Sequence, residues 1–314
     1  WPGCYGHANP VQAHANISAA ESAMPHGPVT VFKAWTEMVH RYLAMAVGVL
    51  IISLMVLAWR RWWKSDRKDR RLSPWLATFL FGFVCLQGAF GAWTVTLKLQ
   101  PVIVTLHLLF GLILLALLAW LAARYVHHTP VGTQAKSLRR PAALALFVLT
   151  IQIALGGWVS TNYAALACSD FPLCHGLWLP QMDFANGFTL WRHLGKTADG
   201  AFLPFPALTA IHWTHRLFAL FAVLVVGWVA YKALRVPGLQ KTARWLLVML
   251  LVQFLIGVAT VFLRWPLSLA VAHNGGAALL VLLLTMLNYK ARLTPVAADK
   301  SSATAQRPPY EFIT

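Results

Sequence analysis

Apolar residues run along this chain in seven long blocks separated by polar stretches, near 37–59, 74–97, 102–123, 141–161, 207–231, 242–263 and 266–289. Each block is close to the 20 or so residues that a helix needs to cross a bilayer core. None has the form of a cleavable signal peptide at the amino end. Composition agrees with that pattern: 59% of the residues are hydrophobic and 11% charged, against about 45–50% and about 25% in soluble domains. The pattern predicts an all-α polytopic membrane protein.

Charge sets the expected orientation. The formal net charge is +17, but it is not spread as a nucleic-acid footprint. Basic residues crowd "RRWWKSDRKDRR" (60–71), Arg124 to Arg140, Lys232 to Arg244, and Lys290 with Arg292. These are alternate loops plus the start of a tail, so the positive-inside rule puts them in the cytoplasm. Trp59, Trp62, Trp63 and Trp75 then mark the inner boundary, and Trp93 and Trp265 the outer one. Residues 1–36 and the loop 162–206 are expected outside. No nucleic-acid partner is implied.

A repeat runs through the chain. "WPGCYGHANP" at 1–10 and "FPLCHGLWLP" at 171–180 share aromatic–Pro–x–Cys–x–Gly. His40-Arg41 aligns with His215-Arg216; Gln87, Gly91 and Thr94 align with Gln253, Gly257 and Thr260; His107 aligns with His273. The landmarks recur in one order at offsets of 166–175 residues. A parallel repeat of this kind is related by an axis along the membrane normal. It predicts two pseudo-repeated four-helix bundles, over 1–140 and 141–293, and a cytoplasmic tail, 294–314. The second Cys loop is preceded by a helix and by Cys168, whereas the first starts at the loop. The expectation is a parent of eight helices, of which this chain carries seven, with the first helix and the partner of Cys4 missing.

Cys4, Cys168 and Cys174 lie on the expected outer, oxidising side, where disulfides persist. Cys168 and Cys174 in "CSDFPLC" read as a small disulfide loop, with metal binding as the other reading of such close cysteines. Cys85, mid-membrane, reads as a packing residue.

His40, His107, His215 and His273 each fall within about two turns of the start of a helix running inward, all about 10 Å or less below the outer boundary. Ionisable groups at such depth are costly and point to function. Within each half one histidine comes from the second helix and one from the fourth. Two imidazoles facing across a bundle suit the axial positions of a haem iron. Arg41, Arg216, Lys98 and Arg264 read either as interfacial anchors or as partners of haem propionates. His7, His14, His26, His175, His193 and His212 read as outer or near-surface polar residues. Glu37, three residues before His40, shares its helix face, and His212 takes the equivalent place in the second half. That asymmetry makes Glu37 a catalytic candidate, against the plainer reading of a helix-dipole charge. Gln87, Gln152 and Gln253 each precede a glycine by four residues, a spacing that suits close helix packing with an interhelical hydrogen bond.

"EMVHRYLA", "THRLF", "GGWVSTNYAALACSDFPLC" and the four spaced histidines together resemble the haem A synthase family, over about residues 1–293. That resemblance implies oxidation of a ring methyl of haem O to a formyl group, giving haem A for terminal oxidases. It implies that His40 and His107 hold haem O near Glu37, and that His215 and His273 hold a resident haem b. Family members carry a functional cysteine pair in the first outer loop, of which only Cys4 is present here. The expected location is a bacterial inner membrane. The expected partners are the lipid bilayer, a haem O synthase or an electron acceptor, and a second copy of the chain in a homo-oligomer. Two other classes compete. A di-haem b-type cytochrome needs the histidines but has no use for a carboxylate in one half alone. A transporter would show broken helices in matching places, and the sequence has none.

Overall fold

The computed structural model describes residues 3–24, 29–65 and 73–293, so the expected tail 294–314 lies outside the described residues. The helices are α1 (His14–Ala23), α2 (Val31–Lys64), α3 (Trp75–Thr96), α4 (Pro101–Ala123), α5 (Ala135–Thr161), α6 (Phe184–Gly187), α7 (Phe205–Leu234), α8 (Gln240–Phe262) and α9 (Leu267–Lys290). Seven of them, all but α1 and α6, are long and apolar enough to cross a membrane. No strand occurs among the described residues. This is an all-helical, multi-pass membrane protein.

All seven expected spans are present, but the ends differ where hydropathy stops being informative. α2 runs from Val31 to Lys64 rather than over 37–59, because Arg60, Arg61 and Lys64 continue the helix beyond the apolar block. Thr30 starts it, its hydroxyl accepting the Lys33 N–H as an N-cap does. α5 starts at Ala135, with Pro141 inside the helix. A bilayer selects the apolar centre of a helix, not its wet ends. The short α1 and α6 carry no such signal and are not foreseen by the pattern.

The repeat extends to backbone detail. Cys4 and His7 exchange both backbone hydrogen bonds, as do Cys174 and Leu177. Between α3 and α4, Lys98 and Leu99 have positive φ, matched between α8 and α9 by Arg264 and Trp265. Each of these turns closes with the same bond, Leu99 N–H to Thr94 O and Trp265 N–H to Thr260 O, both 2.8 Å.

Helices α5, α7, α8 and α9 pack on one another around the largest core, which includes Leu138, Val226, Leu246 and Leu284. Small residues bring α5 and α7 together: Ala142, Ala145, Ala230 and Ala233 are fully buried. In lipid, helices associate through such close packing and through polar links rather than through hydrophobic exclusion. One polar link is Asn288 on α9, whose amide donates to Ala142 O on α5 at 2.8 Å. A smaller cluster of Ile51, Leu80 and Leu114 joins α2, α3 and α4. α4 also packs on α5 and α9, and so bridges the two groups. Most of α2 presents apolar side chains outward, where lipid meets them.

At the basic end, the α7–α8 turn closes on the segment before α5, Gly132 N–H donating to Pro237 O at 3.1 Å. Gly238 sits there at φ +81°, and a Cβ on it would strike the Pro130 carbonyl. Left-handed backbone costs a non-glycine residue about 1–2 kcal/mol before any clash. Gly238→Ala is therefore expected to lower the thermal midpoint of the purified protein. An unchanged midpoint would contradict this account of the turn.

Candidate functional site

Matched helices carry the four histidines at matched depths. His40 is nine residues after the start of α2, and His215 ten after the start of α7. His107 and His273 are each six residues after the starts of α4 and α9. The His40 and His107 rings face each other with centroids 6.5 Å apart and planes nearly perpendicular, at 84°. One metal atom with bonds of about 2 Å on either side, as in zinc–imidazole ligation, fits between two such rings. His215 and His273 line a cavity of about 250 Å³ whose walls are mostly apolar.

Each of three histidines sits in a cradle formed by the opposite helix. A Cβ on Gly91 would lie 3.1 Å from His107 Cε1, one on Gly156 2.9 Å from His215 Cε1, and one on Gly257 3.2 Å from His273 Cε1. A side chain at Gly156 would force the His215 ring to shift, and one at Gly91 or Gly257 would crowd the facing imidazole. One turn away, Gln87 Nε2 donates to His107 O at 2.9 Å, and Gln253 Nε2 to His273 O at 3.0 Å. Gln152 Nε2 lies 3.3 Å from His215 O and 3.1 Å from His215 Nδ1. The glutamines thus make the expected interhelical hydrogen bonds, but onto the histidines themselves. The Gln-x-x-x-Gly spacing was visible in the sequence; what lies between its two residues comes from another helix.

The rims of the two pairs differ. Glu37 pairs with Arg41 at 2.5 Å on α2, and Arg41 also donates to Gly3 O in the first Cys loop. The Glu37 side chain is 55% exposed, so this pair alone adds little stability. His212, expected near the surface, is buried instead: its Nδ1 accepts the Cys168 N–H at 3.2 Å. Burial follows from the loop 162–206 folding back over the start of α7, where Trp213 packs on Cys168 and Cys174. Those two cysteines form a disulfide, S–S 2.06 Å. Cys4 and Cys85 carry free thiols among the described residues.

Arg216 donates to Asp170 O at 2.8 Å and lies over the Phe171 and Trp213 rings. Its Nη1 is buried without a hydrogen-bond partner. Asp170 closes the disulfide loop by accepting from the Gly176 and His175 N–H groups. Those bonds, Gly176 first, hold its carboxyl below the usual range. Lys98 and Arg264 occupy the α3–α4 and α8–α9 turns described above. His7, His14, His175 and His193 lie outside the seven long helices, and His26 is outside the described residues.

The donor set defines what the pairs can hold. Among the described residues no three His, Cys, Asp or Glu side chains come together as metal ligands. Each pair offers two imidazoles only, so the remaining ligands must come with the metal, as a porphyrin supplies them. Buried polar atoms without partners, namely His107 Nδ1, His273 Nδ1 and Arg216 Nη1, surround these positions. The fold and site define a multi-pass helical membrane protein with two pairs of histidines on matched helices.

Comparison with known proteins agrees. Residues 1–285 match the model of the cytochrome oxidase assembly protein family, and the chain belongs to that family. It is 38% identical over 292 residues to heme A synthase of Shewanella oneidensis, covering 92% of this chain and 86% of that protein. It is 33% identical over 262 residues to heme A synthase of Mesorhizobium japonicum, covering 79% and 67%. For heme A synthase of a Bradyrhizobium species the figures are 30% over 277 residues, 85% and 71%.

The cradles make a sharp expectation. Gly156→Ala places a methyl group against His215 and is expected to shift the absorption and EPR signature of haem ligated there. Gly88→Ala, one turn from Gly91 with nothing within 4 Å of its Cβ, is expected to leave the spectra unchanged. Identical spectra for the two variants would contradict a seating role for Gly156.

Proposed function

We propose that this protein is a haem A synthase of a bacterial inner membrane, a membrane oxidoreductase that converts the ring methyl of haem O to the formyl of haem A for terminal oxidases. The observation that carries the reading is the pairing of equivalence and difference. Two histidine pairs sit at matched positions on matched helices, and of those helices only α2, the helix of His40, carries a carboxylate of its own, Glu37. His40 and His107 hold the substrate haem O in the half 1–140, and His215 and His273 hold a haem b in the half 141–293. The Cys loops face the outside, and the basic ends of the helices face the cytoplasm. Haem b at the second pair supplies one-electron redox chemistry, which the protein's own side chains lack.

The remaining roles fall to the protein. Gln152 positions His215: its amide Nε2 lies 3.1 Å from Nδ1, 3.5 Å from Nε2 and 3.3 Å from the backbone oxygen of that residue, and so holds both the ring and its backbone. Arg216 and Arg41 stand one residue after a ligand in each half, placed to meet propionates. Glu37, held by Arg41, takes up a proton or stabilises positive charge developing at the methyl carbon. A cytochrome that only transferred electrons would have no need of that carboxylate.

Purification from cells that make haem O, followed by chromatography of the extracted haems, tests the reading directly. Haem A beside haem B is expected; haem B alone, with haem O available, would refute synthase activity. For Glu37→Gln, haem O is expected to stay bound while its conversion slows about 10²-fold, the lower range for lost acid–base catalysis. Unchanged conversion under conditions where chemistry limits the rate would remove Glu37 from the mechanism.

A further inference from the structure

A second cavity, of about 240 Å³, lies where α4 meets α5 and α9. It is separate from the histidine cavity, although Leu112 and Ile153 belong to the walls of both. On α4 its wall runs from Leu109 to Trp120. Eleven rises of 1.5 Å make that about 16 Å, about half of a hydrocarbon core of about 30 Å. The groove therefore has the depth of one leaflet. Ile113 on its wall is exposed, so it opens sideways to lipid.

Its polar wall residues have little to offer a polar ligand. Thr150 donates to Leu146 O. The Asn288 amide donates to Ala142 O and Leu284 O. Thr285 has a hydroxyl without a partner, but that atom is buried within the wall. An apolar chain suits such a slot, and a polar head does not.

One end of the groove is different. There the Trp120 ring meets the Tyr289 ring at 5.1 Å, an aromatic pair of the kind found at headgroup level. The Arg292 guanidinium lies over Trp120 at 5.4 Å, and its Nη1 donates to Asn288 O at 2.6 Å and Oδ1 at 3.1 Å. Arg139 Nε donates to Ala291 O at 2.9 Å, with its Nη2 3.5 Å from Arg292 O. A guanidinium has five N–H donors, and Nε and Nη2 of Arg292 have no acceptor among the described residues. Basic residues at this end are expected from topology alone. Two arginines anchored by backbone carbonyls at the mouth of one apolar groove are not.

We propose that this groove is a binding site for an anionic membrane phospholipid, one acyl chain filling the slot and the headgroup phosphate resting on Arg292 and Arg139. Arginine forks match phosphate oxygens, and basic pockets between membrane helices take anionic headgroups. The lipid fills the seam between α4 and the α5–α9 group, and so ties the two groups of helices together.

The test uses the haem-loaded protein in nanodiscs of phosphatidylcholine, with or without phosphatidylglycerol. Thermal midpoint and lipid retained in native mass spectrometry are the readouts. Phosphatidylglycerol is expected to raise the midpoint and to stay bound to the released protein. Arg139→Gln with Arg292→Gln is expected to weaken its retention about 30-fold, from about fivefold per basic group, while Arg292→Lys keeps most of it. Ala116→Trp, which fills the slot, is expected to abolish retention with haem content unchanged. Equal retention of both lipids by the native chain would overturn the proposal, as would a double variant or an Ala116→Trp variant that binds phosphatidylglycerol normally. If Ala116→Trp instead separates an oligomer without altering lipid retention, the groove is a contact between copies and the lipid site is refuted.

Discussion

An imidazole inside a membrane has to be aimed, and here the opposite helix does the aiming. Gly91, Gly156 and Gly257 leave no Cβ where the His107, His215 and His273 rings sit. Gln87, Gln152 and Gln253 hold the backbone of the same histidines one turn away. The interlock works both ways: a Cβ on Gly276 would strike Gln253, and one on Gly111 would come within 3.2 Å of Gln87. Helix spacing, ring orientation and ligand position are thus set by one contact. In a medium where apolar surface gains nothing by leaving lipid for protein, polar links and close approach are the terms available to fix it.

A shared frame then carries two different rims. In the first, Arg41 spans from the Glu37 carboxylate to Gly3 in the Cys loop. The second has a buried His212 receiving the Cys168 N–H, with Arg216 reaching back to Asp170. The disulfide loop packs over Trp213, and its Phe171 and Pro172 line the cavity of His215 and His273. Matching turns between α3 and α4 and between α8 and α9 keep the two frames in register. One scaffold is used twice, with different side chains placed at its edges.

Much of this was legible in the sequence, for physical reasons that also explain what was not. Hydropathy located the seven spans because the bilayer selects apolar length, and it lost the ends of α2 and α5 where Arg60, Arg61 and Arg139 extend helices into water. The matched helix positions of His40, His107, His215 and His273 showed themselves because histidine is costly in lipid and recurred in register. The disulfide followed from two close cysteines on one side. Gln87, Gln152 and Gln253 were noticed but read as packing, since the object they hold belongs to another helix. His212 was misplaced for the same reason. Its burial comes from a loop more than 40 residues away in the chain at Cys168, and no local pattern records that.

Two separable haem sites are the central claim, and haem extraction from ligand variants tests it most directly. His107→Ala should retain haem B and lose haem O and haem A; His215→Ala should lose haem B and keep the substrate haem. Loss of both haem types in equal measure from each variant would contradict the two-site account.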